Sequence, residues 1–355
     1  MKDIFTGARR NFAATGQMRY KNSYKRRLMD RTILGDICNA NPENIKSMLG
    51  SGKGTKVELY VPGTVQIRST TVDGGIVYQQ MTDTTEHYTL NREAYWALRF
   101  RPEDKAFMPW DPKGEYFTNA TDQMARFIEK EFGADIVGKV PSFNQGHNAG
   151  VTFGAFDLGA ATNGDAVVLY KTQRDMAGDT GVKHRELAAD FIVKLQDAIH
   201  ENEGLSGGHV SVIIPSPVKH HIKTSELKYG GLMGERNIDL GADERGGRGE
   251  VRFLGTMDNT ITLVENNIMF REHVQTYVKN GVKHTVYPIF AMMSDGCAFI
   301  DDTVFRDDDL KSTDNWDSHF RAKQVYDWPV VFPQMMAVGY VELANPAYDD
   351  EEANG

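Results

Sequence analysis

Cysteine is scarce in this sequence: only Cys38 and Cys297 occur among 355 residues. Two thiols cannot form a disulfide framework or a site of several thiolate ligands, so we interpret both as buried, inert thiols of a protein made and used in a reducing cytoplasm. No segment approaches the run of about 18 apolar residues that a membrane-spanning helix needs. Residues 1–7 also have no apolar segment typical of a secretory signal. We therefore expect no membrane association and no export.

A complete nucleotide-binding motif is also missing. Residues 50–55, Gly-Ser-Gly-Lys-Gly-Thr, resemble part of a phosphate-binding loop, but the full pattern requires glycine where this chain has Ser47. Such a loop follows a strand and begins a helix, whereas here a predicted helix at 41–49 precedes the segment and a predicted strand follows it. A flexible hinge is the favoured interpretation. A nucleotide-dependent enzyme that uses Gly50–Thr55 is the alternative from another functional class.

The sequence also matches no complete motif for metal-dependent catalysis. The ten histidines include no His-Glu-x-x-His pair, and residues 184–186, His-Arg-Glu, are not followed by the Pro-Cys-x-x-Cys of the zinc deaminases. A calcium loop starting at Asp301 would need glycine and glutamate where Arg306 and Ser312 stand. We interpret the histidines as surface or loop residues and residues 301–317 as a charged loop. The sequence predicts no catalysis, no cofactor and no metal.

Charge is distributed unevenly along the chain. Residues 1–31 contain nine Lys or Arg and two acidic residues, a net charge of +7, whereas the other 324 residues contain 31 basic and 47 acidic residues, a net charge of −16. This asymmetry indicates a basic arm attached to an acidic body. The arm could contact nucleic acid or the acidic surface of a neighbouring subunit.

The hydrophobic pattern predicts a mixture of strands and helices. Apolar residues alternate over 56–68 and a polar return strand follows at 76–90, so we expect a long, solvated β-hairpin with its turn at 73–75. Apolar spacings of three and four predict amphipathic helices over 117–136 and 183–202, the second capped by Asp179 or Thr180. Further strands are expected at 94–100, 166–171, 210–214, 250–254, 261–265, 282–291, 330–332 and 336–341. A proline-bearing turn is expected at 215–217, and a glycine-rich loop at 230–249.

This order of elements resembles the major capsid protein of tailed double-stranded DNA bacteriophages, with the α+β fold named for phage Hong Kong ninety-seven. Helix 183–202 followed by Val-Ser-Val-Ile-Ile-Pro-Ser-Pro at 210–217 is similar to the family's helix, strand and proline-bearing turn. The strand at 249–255 with residues 261–267, which end in Asn-Asn, is similar to the strand that comes next. The resemblance covers nearly the whole chain and implies an N-terminal arm at 1–50, an extended loop at 51–91 and a peripheral domain with a spine helix at 92–149. An axial domain at 150–321 and a return to the peripheral domain with an acidic tail at 322–355 would follow.

The resemblance implies a structural role for the chain. It would self-assemble into hexamers and pentamers of an icosahedral shell that encloses double-stranded DNA, form part of the virion and be assembled in the host cytoplasm. Its partners would be further copies of itself, portal, scaffolding and possible decoration proteins, and packaged DNA contacted without sequence specificity. A cellular nanocompartment shell of the same fold is the alternative, since it would enclose an enzyme in place of a genome.

Two groups of residues are the predicted assembly sites. Basic side chains of the arm would contact a neighbouring subunit or the genome; they are Arg9, Arg10, Arg19, Lys21, Lys25, Arg26, Arg27 and Arg31. Glycines and a turn aspartate would let the extended loop adapt to different lattice positions and to shell expansion; they are Gly52, Gly54, Asp73, Gly74 and Gly75.

Overall fold

The chain forms two units, each built from segments that are far apart in the sequence. A computed structural model describes residues 28, 32–39, 56–61, 78, 84–100, 112–162, 164–179, 181–201, 208–223, 238–239, 253–257, 260–279, 281–308 and 318–344. Of these, residues 56–100 and 299–329 belong to the smaller unit, and residues 28–39, 112–298 and 330–344 belong to the larger one. No helix among the described residues is long and apolar enough to cross a membrane.

The helices and strands are numbered separately in chain order. The α-helices are α1 (Leu34–Ile37), α2 (Pro112–Ile136), α3 (Gln173–Gly178), α4 (Ala188–His200) and α5 (Ser216–Lys223). The strands are β1 (Lys56–Val61), β2 (Thr84–Thr89), β3 (Arg92–Phe100), β4 (Val167–Tyr170), β5 (Arg185–Leu187), β6 (Val210–Ile214), β7 (Ile238–Asp239), β8 (Phe253–Met257), β9 (Ile261–Glu265), β10 (Gln275–Lys279), β11 (Val282–Met293), β12 (Ile300–Asp308), β13 (Ser318–Asp327) and β14 (Met336–Leu343).

A nine-stranded mixed sheet organises the larger unit. Eight strands lie in the order β5-β4-β14-β11-β6-β9-β8-β7, and β10 pairs with β11 outside this path. The pairs β14/β4, β4/β5 and β6/β9 are parallel, and the other pairs are antiparallel. Helix α4 covers the sheet with the fully buried side chains Phe191, Leu195 and Ile199, which join the core formed by strand residues such as Val212 and Ile289. Burial of this face holds the larger unit together.

The long helix predicted from the sequence is α2. It has 25 residues and is therefore about 38 Å long. The side chains of Met124, Ile128, Phe132 and Ile136 recur every four residues and are all buried, so they form the packed face. The helix begins five residues before the predicted start, at Pro112, because proline has no N–H to lose in the first turn.

The smaller unit contains two antiparallel sheets. Strands β1 and β2 pair from Lys56 opposite Thr89 to Val61 opposite Thr84, which confirms this part of the predicted hairpin. Residues 62–77 and 79–83, including the predicted turn, lie outside the described residues. The second sheet has the order β12-β13-β3. At its end the guanidinium of Arg92 lies 4.2 Å from the ring centre of the fully buried Trp328.

The predicted helix at 183–202 was wrong in its first turn. Residues Arg185–Leu187 form β5, which extends the sheet by parallel pairing with β4, and the helix begins only at Ala188. Pairing with β4 therefore makes residues 185–187 a strand, although the apolar spacing predicted a helix. The predicted cap is also wrong, since Leu187 occupies that position without a side-chain hydrogen bond and Asp179 instead follows α3. Thr180 lies outside the described residues.

Other predicted loops and turns contain regular structure. The predicted proline-bearing turn at 215–217 was wrong in part, because Ser216 and Pro217 form the start of α5. Residues 301–308 were predicted to lie in a charged loop, but they belong to β12 and pair with β13 through their backbone. The expected strand at 330–332 is reduced to a single bridge between Cys297 and Val330, followed by a 3-10 turn at Pro333–Met335. The predicted glycine-rich loop includes β7 at Ile238–Asp239, and its other residues, like the predicted helix at 41–49, lie outside the described residues.

Candidate functional site

Every predicted assembly residue lies outside the described residues. This holds for the basic arm, Arg9, Arg10, Arg19, Lys21, Lys25, Arg26, Arg27 and Arg31, and for the loop residues Gly52, Gly54, Asp73, Gly74 and Gly75. Their roles stay predictions. The phosphate-loop segment 50–55 is also outside the described part of the chain.

The segment that follows the predicted basic arm is anchored on α2. Leu34 and Ile37 are fully or almost fully buried, and the buried carboxylate of Glu129 accepts a hydrogen bond from the backbone N–H of Ile33 at 3.1 Å. Its other oxygen accepts from the Asn266 amide at 3.0 Å. Hydrogen bonds to a buried carboxylate are strong, and they offset the free-energy cost of removing that group from water. Glu129 therefore fixes the segment at 32–39 to the long helix.

The two cysteines lie together in the interior of the larger unit. Both are free and buried, and residues 38–39 run beside residues 297–298, with the Asn39 N–H donating to the Cys297 carbonyl at 3.0 Å. Burial, together with the neighbouring Cys297 thiol, raises the pKa of Cys38 well above its ordinary value. A thiol is a poor nucleophile when it stays protonated, so Cys38 is poorly suited to covalent chemistry. Both cysteines are buried, as the sequence predicted.

Two histidines and one aspartate converge in a group that we call the histidine cluster: His147, Asp157 and His184. The two Nδ1 atoms approach different oxygens of the Asp157 carboxylate, His147 at 2.8 Å and His184 at 2.5 Å. The imidazole rings stack with their centres 4.1 Å apart. Burial acts to raise the pKa of Asp157, but hydrogen bonds from both histidines and from the Gly159 N–H lower it below its ordinary value. No local sequence motif contains all three members of this cluster, because they are 10 and 27 residues apart.

A surface pocket of about 420 Å³ lies beside β4, β11 and β14. One wall carries Glu342, whose carboxylate accepts from the Tyr277 hydroxyl at 2.8 Å and contacts Nδ1 of His284. Burial, with the adjacent Glu342 carboxylate, raises the pKa of Tyr277 to about 12. On another wall, burial and the positive charge of Lys171 lower the pKa of His221 to about 4. Tyr277, His284 and Glu342 therefore join strands β10, β11 and β14 to one another.

Large apolar side chains are exposed on both units. Phe153 is 80% exposed, and Val151 on the same loop is 51% exposed. On α2, Tyr116 and Phe127 are exposed and eleven residues apart, which places them on one side of the helix. Tyr95 on β3 is 78% exposed. Contacts with another chain would remove such surface from water.

The amino-acid sequence matches no family model and no curated protein. Solved structures do match. The capsid of Ralstonia phage GP4 aligns over 83% of this chain and 85% of that chain, with 10% identity and a TM-score of 0.51. The capsid asymmetric unit of cyanophage Pam1 aligns over 84% of this chain and 87% of that chain, with 8% identity and a TM-score of 0.50. The chain therefore has the α+β fold of these phage capsid subunits, the Hong Kong ninety-seven type, as the sequence predicted.

Proposed function

We propose that this chain is the major capsid protein of a tailed bacteriophage and that it self-assembles into hexamers and pentamers of an icosahedral shell around double-stranded DNA. The observation that carries this proposal is the likeness to the GP4 capsid, which extends over more than four fifths of both chains. The role proposed is structural, without catalysis.

Physical features of the described residues support the proposal. A shell subunit stabilises its arms and ribbons against neighbouring copies, and a two-stranded ribbon such as β1/β2 is marginally stable alone. Exposed aromatic residues such as Phe153 and Tyr95 offer apolar surface for such contacts. Many weak contacts repeated in a closed shell give a stable assembly through high effective concentration.

The partners follow from the same proposal. The basic arm would contact an acidic neighbouring subunit or the packaged DNA, in the second case through phosphates and without sequence specificity. Portal, scaffolding and decoration proteins would complete the virion, and assembly would take place in the host cytoplasm. No membrane is needed at any step.

Sedimentation and light scattering of the purified chain, alone and after co-expression with a candidate scaffolding protein, test assembly. We expect particles of several megadaltons, and a monodisperse monomer under both conditions would contradict the proposal. Nuclease treatment of particles purified from infected cells then distinguishes a capsid from a cellular nanocompartment. Protected double-stranded DNA identifies a capsid, whereas particles that contain an enzyme and no DNA identify a nanocompartment.

A further inference from the structure

The histidine cluster is built on backbone that hydrogen bonds hold in place. His147 and Asp157 lie beside an antiparallel bridge in which Ala149 and Phe156 exchange hydrogen bonds of 2.7 and 3.0 Å. On the other side, the carbonyl of His184 accepts from the N–H of Val168 in β4 at 2.8 Å. The three side chains are therefore brought together by two separate segments of the larger unit, each with a fixed course.

The donor atoms of the cluster have the chemistry of a metal site. One ligand atom from each residue lies within 4.8 Å of the other two. Two imidazole nitrogens and one carboxylate oxygen suit zinc and its neighbours in the first transition row, whereas calcium and magnesium prefer sites built from oxygen alone. Tetrahedral zinc with bonds of about 2.0–2.2 Å separates its ligands by about 3.4 Å. The present contacts of 2.8 Å and 2.5 Å, which His147 and His184 make with different Asp157 oxygens, would therefore lengthen by about 0.6–0.9 Å when the ion binds.

Access and charge also fit a bound cation. Each of the three side chains is about 30% exposed, so an ion can enter from solvent and a water molecule can complete the coordination. The Asp157 carboxylate lies between the two imidazoles and contacts both of them. A divalent ion would replace the present contacts between the two Nδ1 atoms and this carboxylate.

We propose that His147, Asp157 and His184 bind one divalent transition-metal ion of the zinc class per chain. The ion joins the loop at 147–157 to the strand β5 that follows His184. Because Val151 and Phe153 are exposed on this loop, the ion would stiffen a segment that presents apolar surface. The inference does not depend on shell formation, since the three ligands belong to one chain.

The test uses the full chain without a histidine tag, stripped with a chelator and equilibrated with zinc chloride. We expect one bound zinc per chain by elemental analysis and a melting temperature that rises with zinc concentration. Asp157→Asn and His184→Gln should each weaken binding by about tenfold or more. His209→Gln is the matched control, because this exposed histidine lies outside the cluster, and it should leave binding unchanged.

Zinc uptake well below one ion per chain, or uptake that Asp157→Asn leaves unchanged, would overturn the proposal. If the variants do not fold, cobalt bound to the wild-type chain gives the answer: a visible spectrum of tetrahedral cobalt supports the site, and its absence contradicts it. Either failure leaves the proposed capsid function untouched, because assembly is measured separately by particle mass.

Discussion

Gly133 allows α2 to approach the backbone of Met269. A methyl group at this position would lie 1.7 Å from the Met269 carbonyl oxygen, a distance that requires the backbone to move. Alanine gains about 1 kcal/mol of helix propensity over glycine, but such overpacking costs about 1–3 kcal/mol or more. We predict that Gly133→Ala lowers the free energy of unfolding by about 2 kcal/mol, measured by urea denaturation of the unassembled chain. Gly138→Ala is the control, since no atom lies within 4 Å of its added methyl group, and an equal loss there would contradict this explanation.

His221 makes the larger unit sensitive to acid. Its pKa is about 4 in the folded chain and near 6.5 when unfolded, so between these values only the unfolded chain binds the proton. Its contribution to stability is complete above pH 6.5 and falls as the pH decreases toward 4. We predict that unfolding free energy declines between pH 7 and pH 5 by about 1–2 kcal/mol more in the wild type than in His221→Gln. Urea denaturation at both pH values measures this, with His209→Gln as control; identical declines in wild type and His221→Gln would contradict the assignment.

At the scale of elements, the basic arm is the clearest predicted assembly device. Replacing the eight basic residues named above with glutamine removes the charge that attracts acidic protein surface or phosphates. We predict a lower yield of empty shells if the arm contacts a neighbouring subunit, or intact shells with less packaged DNA if it contacts the genome. Particle yield and DNA content measure the two. The arm has neither role if both values equal those of the wild type.

The extended loop makes a second prediction at this scale. Gly52→Ala with Gly54→Ala restricts the backbone of the predicted hinge, so assembly or shell expansion should be impaired. Electron microscopy of particles before and after expansion measures the effect. Gly138→Ala together with Gly178→Ala is a matched double control, because neither added methyl group meets an atom within 4 Å. Wild-type shells from the hinge variant would remove the hinge interpretation.

Apolar periodicity in the sequence predicted α2 and β1. The four-residue spacing from Met124 to Ile136 identified α2, and the alternation in residues 57–61 identified β1. Strands β12 and β13 were not predicted, because charged residues such as Asp301 and Asp307 interrupt the apolar alternation that is typical of a strand. Both segments are strands because each pairs with a neighbouring strand. The first turn of the helix predicted at 183–202 was misassigned for the same reason, since Arg185–Leu187 is a strand only because β4 lies beside it.

The histidine cluster could not be predicted from the sequence. No local motif connects His147, Asp157 and His184, and only the bridge at Ala149 and the pairing at Val168 bring them together. His184 and Glu186 form a His-x-Glu pattern in the sequence. In the structure, Glu186 forms an ion pair with Lys194. The assembly residues of the arm and the extended loop stay predictions from the sequence.

At the scale of the whole molecule, the central claim is that copies of this chain close into a shell. The α+β fold matches phage capsid subunits over most of the chain, and the basic arm and hairpin are features that neighbouring copies would stabilise. In the proposed function, the chain acts through contacts between its copies. Conditions that screen charge, such as high salt, should weaken any contacts that the basic arm makes through its charges.

Negative-stain electron microscopy of the purified chain, expressed alone and with a candidate scaffolding protein, tests this claim most directly. We expect closed shells, tubes, or rings of five and six subunits. Uniform small particles without five-fold or six-fold order in both preparations would contradict it.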